Sequence, residues 1–318
     1  MRALWLENQQ LQFRNDVPTP EIKQGEVLVR PRLAGICSTD LELVKGYYPY
    51  QGIPGHEFVG EVVEAPGFPE FVGKRVVGEI NIVCGKCTHC RQGRSSHCLK
   101  RTVLGISERN GVFADCFTLP FANLHFVPDS ISDEQAVFTE PLAAALEIQE
   151  QVQINSVDNV MVVGAGRLGQ LVAQTLALTG CKLSVVARYQ NQRNLLEKRG
   201  IQVLDEDQIP LGTMDIVVDA TGSPAGFRAA RSAVRSRGML IMKSTFAGTL
   251  EVDASSLVVD EITLIGSRCG PFAPALKLLE ENLVDPVPLI EKTLQFVNSI
   301  EAFKEAGESG TLKILLTF

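Results

Sequence analysis

The sequence predicts an α/β protein of two domains, one rich in short strands and one built as a doubly wound parallel sheet. Three observations carry that expectation. A chain of 318 residues suits two domains of ordinary size better than one. The texture changes near Glu140–Pro141, and from Val160 onward short apolar strands alternate with helical patterns.

Up to residue 140, runs such as Glu26–Arg30 and Phe58–Val63 are punctuated by Gly and Pro, the pattern of short strands and turns. Pro141–Gln151 then reads as a helix, with Pro at its first turn and strong helix formers behind it. Val160–Val163 is wholly apolar, as a parallel strand buried on both faces must be. A helix pattern follows over Leu168–Thr179, and then strands at Lys182–Val186, Ile216–Val218, Met239–Met242 and Ile262–Ile265. A helix over Ala273–Leu283 and a strand over Leu312–Leu316 complete the chain. No internal repeat or low-complexity segment is present.

The composition narrows the function. Apolar residues make up 45% of the chain, enough for a substantial core, and the formal net charge is −7 without long runs of one sign. That argues against a nucleic-acid partner, which needs a clustered basic patch. No apolar run is long enough to span a bilayer, and Met1–Glu7 lacks the pattern of a secretory signal. A cytoplasmic enzyme acting on a small molecule is the expectation.

Eight cysteines divide into a cluster, Cys84, Cys87, Cys90 and Cys98, and a scattered set, Cys37, Cys116, Cys181 and Cys269. A disulfide framework belongs to short secreted chains, so reduced thiols are expected. The cluster has the spacing of a closed tetrahedral zinc shell, with Gly85 and Gly93 permitting the tight turns around it. An iron–sulfur cluster is the lesser alternative. A closed shell has no position for substrate, so this ion would stabilise a loop. His89 and His97 lie within the lobe as bystanders.

A second set of metal-ligand types lies in Gly35-Ile36-Cys37-Ser38-Thr39-Asp40, in Gly55-His56-Glu57-Phe58-Val59-Gly60 and at Glu140 in Thr139-Glu140-Pro141-Leu142. One thiolate, one imidazole and one carboxylate, with a fourth position open, make a catalytic zinc site. The fragments GICSTD, GHEFVG, CGKCTHC, TEPLAAAL and VVGAGRLG occur in the order found in zinc-containing medium-chain dehydrogenases. The chain resembles that family over essentially its whole length, most closely the branch of sorbitol, threonine and glucose dehydrogenases.

The resemblance implies a GroES-like β-rich catalytic domain (1–141 and 267–318) and a Rossmann cofactor domain (142–266). It implies that Cys37 and His56 hold a catalytic zinc, that Glu57 or Glu140 completes the set, and that Asp40 orients His56. Where some dehydrogenases place a cysteine as third ligand, this chain offers Glu140. Adjacent side chains on a regular strand point to opposite faces, so His56 and Glu57 can share one ion only if the backbone is irregular there. The ion would polarise an alcohol oxygen, and Thr39 would receive its proton. Many relatives carry a histidine three residues beyond Thr39; here that residue is Glu42. Tyr47, Tyr48 and Tyr50, on the loop before His56, either shape the substrate pocket or pack the loop.

Gly164-Ala165-Gly166-Arg167-Leu168-Gly169 follows an apolar strand and opens a helix, which is the context that makes a glycine-rich loop a dinucleotide site. Arg188 ends the second strand, where an NAD enzyme ordinarily has an acid; with Arg193 it points to NADP, NAD being the alternative. Thr221 and Gly222, at the end of a later strand, and Ser244, in Lys243-Ser244-Thr245-Phe246, are placed beside the cofactor by the resemblance. Arg268 is placed near cofactor or substrate, and Cys269 in packing. The expected activity is hydride transfer between a secondary alcohol, polyol or sugar and NADP. A threonine-dehydrogenase-like, NAD-linked enzyme for amino alcohols is a second reading, and a non-catalytic NADPH-binding redox sensor a third. A homodimer or homotetramer is expected, as in the family.

Overall fold

The computed structural model describes residues 1–318 and divides into two compact units. One comprises Met1–Glu140, Phe272–Glu308 and Lys313–Phe318; the other comprises Pro141–Pro271 and Ser309–Leu312.

The first unit is organised by a seven-stranded sheet. The strand Glu26–Gly35 lies at its centre, antiparallel to Glu57–Glu64 on one side and to Lys313–Thr317 on the other. The register sets Gly35 opposite both Glu57 and Leu315, which brings three distant stretches of sequence to one place. Beyond Gly35 the chain turns into the short helix α1 (Ser38–Val44). Cys37 caps this helix: its sulfur accepts from the Thr39 amide, and the Asp40 carboxylate accepts from the Cys37 amide. This is a capping box with a thiol in the place of the usual hydroxyl. Phe58 and Phe117 meet edge to face beneath the sheet at 4.9 Å.

The second unit contains a six-stranded parallel sheet: β1 (Asn159–Val163), β2 (Lys182–Val186), β3 (Gln202–Leu204), β4 (Met214–Asp219), β5 (Val234–Met242) and β6 (Thr263–Gly266), ordered β3-β2-β1-β4-β5-β6. The order reverses between β1 and β4, the switch point of a doubly wound sheet. Met161, Val163, Val217 and Leu240 project from the sheet into a core shared with Phe227 and Ala230. Helix α2 (Thr139–Gln151) leads into this unit, and α3 (Arg167–Ala177) follows β1. The doubly wound sheet and the β-rich companion agree with the sequence expectation. The β3 strand, too short to show a period, escaped it.

Candidate active site and metal centres

Cys37, His56 and Glu57 converge, their ligand atoms lying within 4.8 Å of one another; Glu140 is not among this group. Two neighbours share one centre because regular strand begins only at Glu57, two residues after Gly55 at φ +98°. That conformation is open to glycine and strained for other residues. A side chain on Gly55 would also run into the Phe113 ring.

His56 is 2% exposed, and its Nδ1 lies 3.4 Å from Asp40 Oδ1, long for a hydrogen bond. Asp40, fully buried, also accepts from the amides of Cys37 (2.9 Å) and Gly55 (3.2 Å). One carboxylate thus ties the helix cap to the His56 turn. With Nδ1 toward Asp40, Nε2 is the nitrogen left to a metal. Burial lowers the His56 pKa, but the charges of Asp40 and Cys37 outweigh it and carry it well above the ordinary value. A buried imidazole beside a thiol and a carboxylate is a donor set that suits a divalent cation.

A residue unremarked in the sequence completes the centre. Lys313, 2% exposed, pairs with Glu57 Oε2 and lies 3.4 Å from the Ile36 carbonyl. It reaches Glu57 across Gly35, where a Cβ would collide with the Glu57 carboxylate. Its only sequence signal is a single cation heading the apolar run Lys313-Ile314-Leu315-Leu316. Thr39 lies in the first turn of α1, half-buried. Glu42, the residue at the expected relay position, accepts from Lys45 Nζ at 2.7 Å. Tyr50 donates its hydroxyl toward the carbonyls of Ile53 (2.6 Å) and Arg109 (3.0 Å), so it anchors the loop, whereas Tyr47 and Tyr48 are exposed.

All eight cysteines are free. In the lobe, Sγ separations are 3.5 Å for Cys87–Cys90, 3.9 Å for Cys87–Cys98 and 3.5 Å for Cys84–Cys98. A tetrahedron with Zn–S bonds of about 2.3 Å has edges of roughly 3.8 Å, so the thiols fit a zinc shell. Amides of Cys90 and Leu99 bring the Cys87 thiol down to about 6, whereas desolvation and then its thiol neighbours push Cys90 up to about 12. Four adjacent thiolates need a cation between them.

In the second unit the three glycines of the loop behave differently. Gly164 takes φ +99° in the turn. A Cβ on Gly166 would stand in open space at the helix start, and one on Gly169 would strike the Gly164 carbonyl. Turn, open approach and close helix–strand packing are the three roles such a loop needs to receive a pyrophosphate. Leu168 lies in the first turn of α3, and Arg167 Nε donates to the Leu312 carbonyl at 2.5 Å. Thr221 donates through its amide and hydroxyl to Asp219 at the end of β4, with Gly222 next at φ +64°. Ser244 follows β5 by two residues.

Arg188 follows β2 and is exposed, with Nη2 2.7 Å from Glu206. Arg193 is held by Asp205 at 2.6 Å. These acids, supplied by the segment after β3, were invisible to a reading confined to the end of β2.

A GroES-like sheet carrying a Cys-His-Glu centre, joined to a dinucleotide-binding sheet, defines a zinc-type dehydrogenase. Comparison with known proteins agrees. Residues 23–129 match the family described as alcohol dehydrogenase GroES-like domain, and residues 147–241 match shikimate / quinate 5-dehydrogenase. The L-threonine 3-dehydrogenase of Serratia proteamaculans is 30% identical over 335 residues, covering 96% of each chain. The sorbitol dehydrogenase of Halalkalibacterium halodurans is 27% identical, covering 94% of each. A solved structure from Sinorhizobium meliloti 1021, bound to NADP, superposes with a TM-score of 0.90 at 25% identity, covering 100% of this chain and 99% of that one.

The chain belongs to the zinc-containing medium-chain dehydrogenase family. It is a zinc-dependent alcohol oxidoreductase working with a nicotinamide dinucleotide.

Proposed function

We propose that the protein oxidises a secondary alcohol, polyol or sugar, and reduces the matching carbonyl, with NADP as the hydride partner. The observation that carries this reading is the buried convergence of Cys37, His56 and Glu57 in a chain that also holds an open glycine cradle. In the oxidative direction the alcohol C–H bond breaks, its hydrogen leaves with the bonding pair for the nicotinamide ring, the hydroxyl proton departs and a carbonyl forms. Zinc, when bound, supplies the Lewis acidity that lets the hydroxyl ionise near neutral pH.

The chain's own residues have separate tasks. Cys37, His56 and Glu57 hold the ion, with Glu140 the alternative carboxylate. Asp40 sets the imidazole, Lys313 anchors Glu57, and Thr39 takes the proton. Cys84, Cys87, Cys90 and Cys98 hold a second, structural zinc. Gly164, Gly166 and Gly169 receive the pyrophosphate, with Arg167, Leu168, Thr221, Gly222 and Ser244 bordering the dinucleotide. Arg188 and Arg193 meet the 2′-phosphate. Their present pairing with Glu206 and Asp205 favours a second reading, NAD, in which an acid takes the ribose hydroxyl. NADP is preferred because an exposed ion pair is worth little and is readily exchanged for a doubly charged phosphate.

The protein is further proposed to form a homodimer. Strand β6 is a sheet edge, with Leu264 exposed, and the preceding helix Ala254–Val259 leaves Val258 and Val259 76% and 80% exposed.

The decisive experiment assays the zinc-loaded protein against alcohols, polyols and aldoses with each cofactor. Turnover that vanishes on chelation and in Cys37→Ala is expected. Dinucleotide binding without turnover of any alcohol–carbonyl pair would overturn the enzymatic reading in favour of a sensor.

A further inference from the structure

One buried cation has no part in the site above. Lys243, 7% exposed, follows the last residue of β5 directly. Its Nζ donates to Ser267 Oγ, just beyond β6, at 2.9 Å, and its charge acts on Glu147 of α2, as does that of Arg268. The backbone on both sides is held as well: the Lys243 amide donates to the Asp219 carbonyl and the Ser267 amide to the Met242 carbonyl. The ammonium is therefore fixed at the carboxyl edge of the β4–β5–β6 half of the sheet.

Ligands of a doubly wound sheet lie across that carboxyl edge, one half of a dinucleotide to each side of the switch point. In the proposed reading the glycine loop after β1 takes the pyrophosphate and Arg188, after β2, the adenosine end. A nicotinamide half bound this way would lie on the β4–β5 side of the switch point, the side on which Lys243 follows β5. The oxidised ring is cationic and the reduced ring is neutral. A fixed ammonium in a poorly solvated place repels the former and is indifferent to the latter.

We infer that Lys243 biases the bound cofactor toward its reduced form and so shifts the equilibrium on the enzyme toward alcohol oxidation. Glu147 opposes this bias in part. Its carboxyl is itself pulled two ways, raised by burial and lowered by Lys243. The inference rests on the dinucleotide reading of the glycine loop.

The test titrates the zinc-loaded full chain with NADP+ and with NADPH, and with NAD+ and NADH, following binding by calorimetry. In wild type the reduced form is expected to bind more tightly. Lys243→Met, which keeps the aliphatic stem and removes the charge, is expected to lower the ratio of oxidised to reduced Kd by about tenfold, equivalent to about 30 mV for a two-electron couple. Lys243→Arg should preserve the ratio, and Glu147→Gln should raise it. If both forms bind K243M and the ratio stays within about twofold of wild type, the inference is overturned while the cofactor reading stands. Binding of neither form by wild type overturns both. Should K243M fail to fold, the direction of the E147Q shift decides alone.

Discussion

Lys313 and Glu57 form the most consequential pair of single residues. Both are almost fully buried, so removing one partner leaves a buried charge without the group it is paired with. Breaking such a pair typically costs about 3–5 kcal/mol. Lys313→Met should therefore lower the melting temperature of the zinc-free protein markedly. Zinc should restore more stability to the variant than to wild type, because the dication replaces the missing ammonium beside Glu57. Calorimetric scans with and without zinc check this, and an equal gain in both proteins would remove Glu57 from the metal. Arg188 invites a different measurement. Arg188→Ala should weaken NADP binding by about tenfold or more, the scale of a charge-assisted hydrogen bond, and leave NAD unchanged. Glu206→Gln should strengthen NADP. Opposite outcomes would favour the NAD reading.

At the scale of elements, the Cys37–His56–Glu57 cluster is held where the strand Glu26–Gly35 ends and α1 begins. Gly35 is small by necessity: the ion pair passes over it from one flanking strand to the other. Gly35→Ala should displace Glu57 and cost about 1–3 kcal/mol, the range of overpacking, read as a fall in denaturant midpoint. Gly169→Ala meets backbone rather than a movable side chain, at the Gly164 carbonyl. It should loosen α3 from β1 and weaken binding of both NADP and NADPH without changing zinc content. The four-cysteine lobe is irregular, with only short helical turns at Thr88–Arg91 and Ser95–His97. With four thiols placed to hold one ion, chelation is expected to expose this stretch to proteolysis before the parallel sheet unfolds.

For the whole molecule, the exposed β6 edge sets the expectation for assembly. Leu264→Lys places a charge on that edge and should shift the sedimentation coefficient from dimer to monomer. An unchanged coefficient would move the interface elsewhere. No helix of the chain is long and apolar enough to cross a membrane.

Much of this was legible in the sequence because it depends on local pattern. Strand and helix periods, the glycine loop, the spacing of Cys84, Cys87, Cys90 and Cys98, and the order of the ligand-bearing fragments all lie within short windows. They suffice to specify the doubly wound sheet, its β-rich companion and a zinc-linked dehydrogenase chemistry. The tertiary structure decided what depends on strand register and on folding of distant segments. It brought Glu57 beside Cys37 and His56 by way of the turn at Gly55. It carried Lys313 from the far end of the chain to Glu57 across Gly35, and it set Glu206 and Asp205 against Arg188 and Arg193, from which the sequence led to the expectation of a phosphate. It also buried Lys243 at the sheet's carboxyl edge. The separations run from 12 residues for Arg193 and Asp205 to 256 for Lys313 and Glu57, beyond the reach of a short sequence window, and the folded chain brings these groups together.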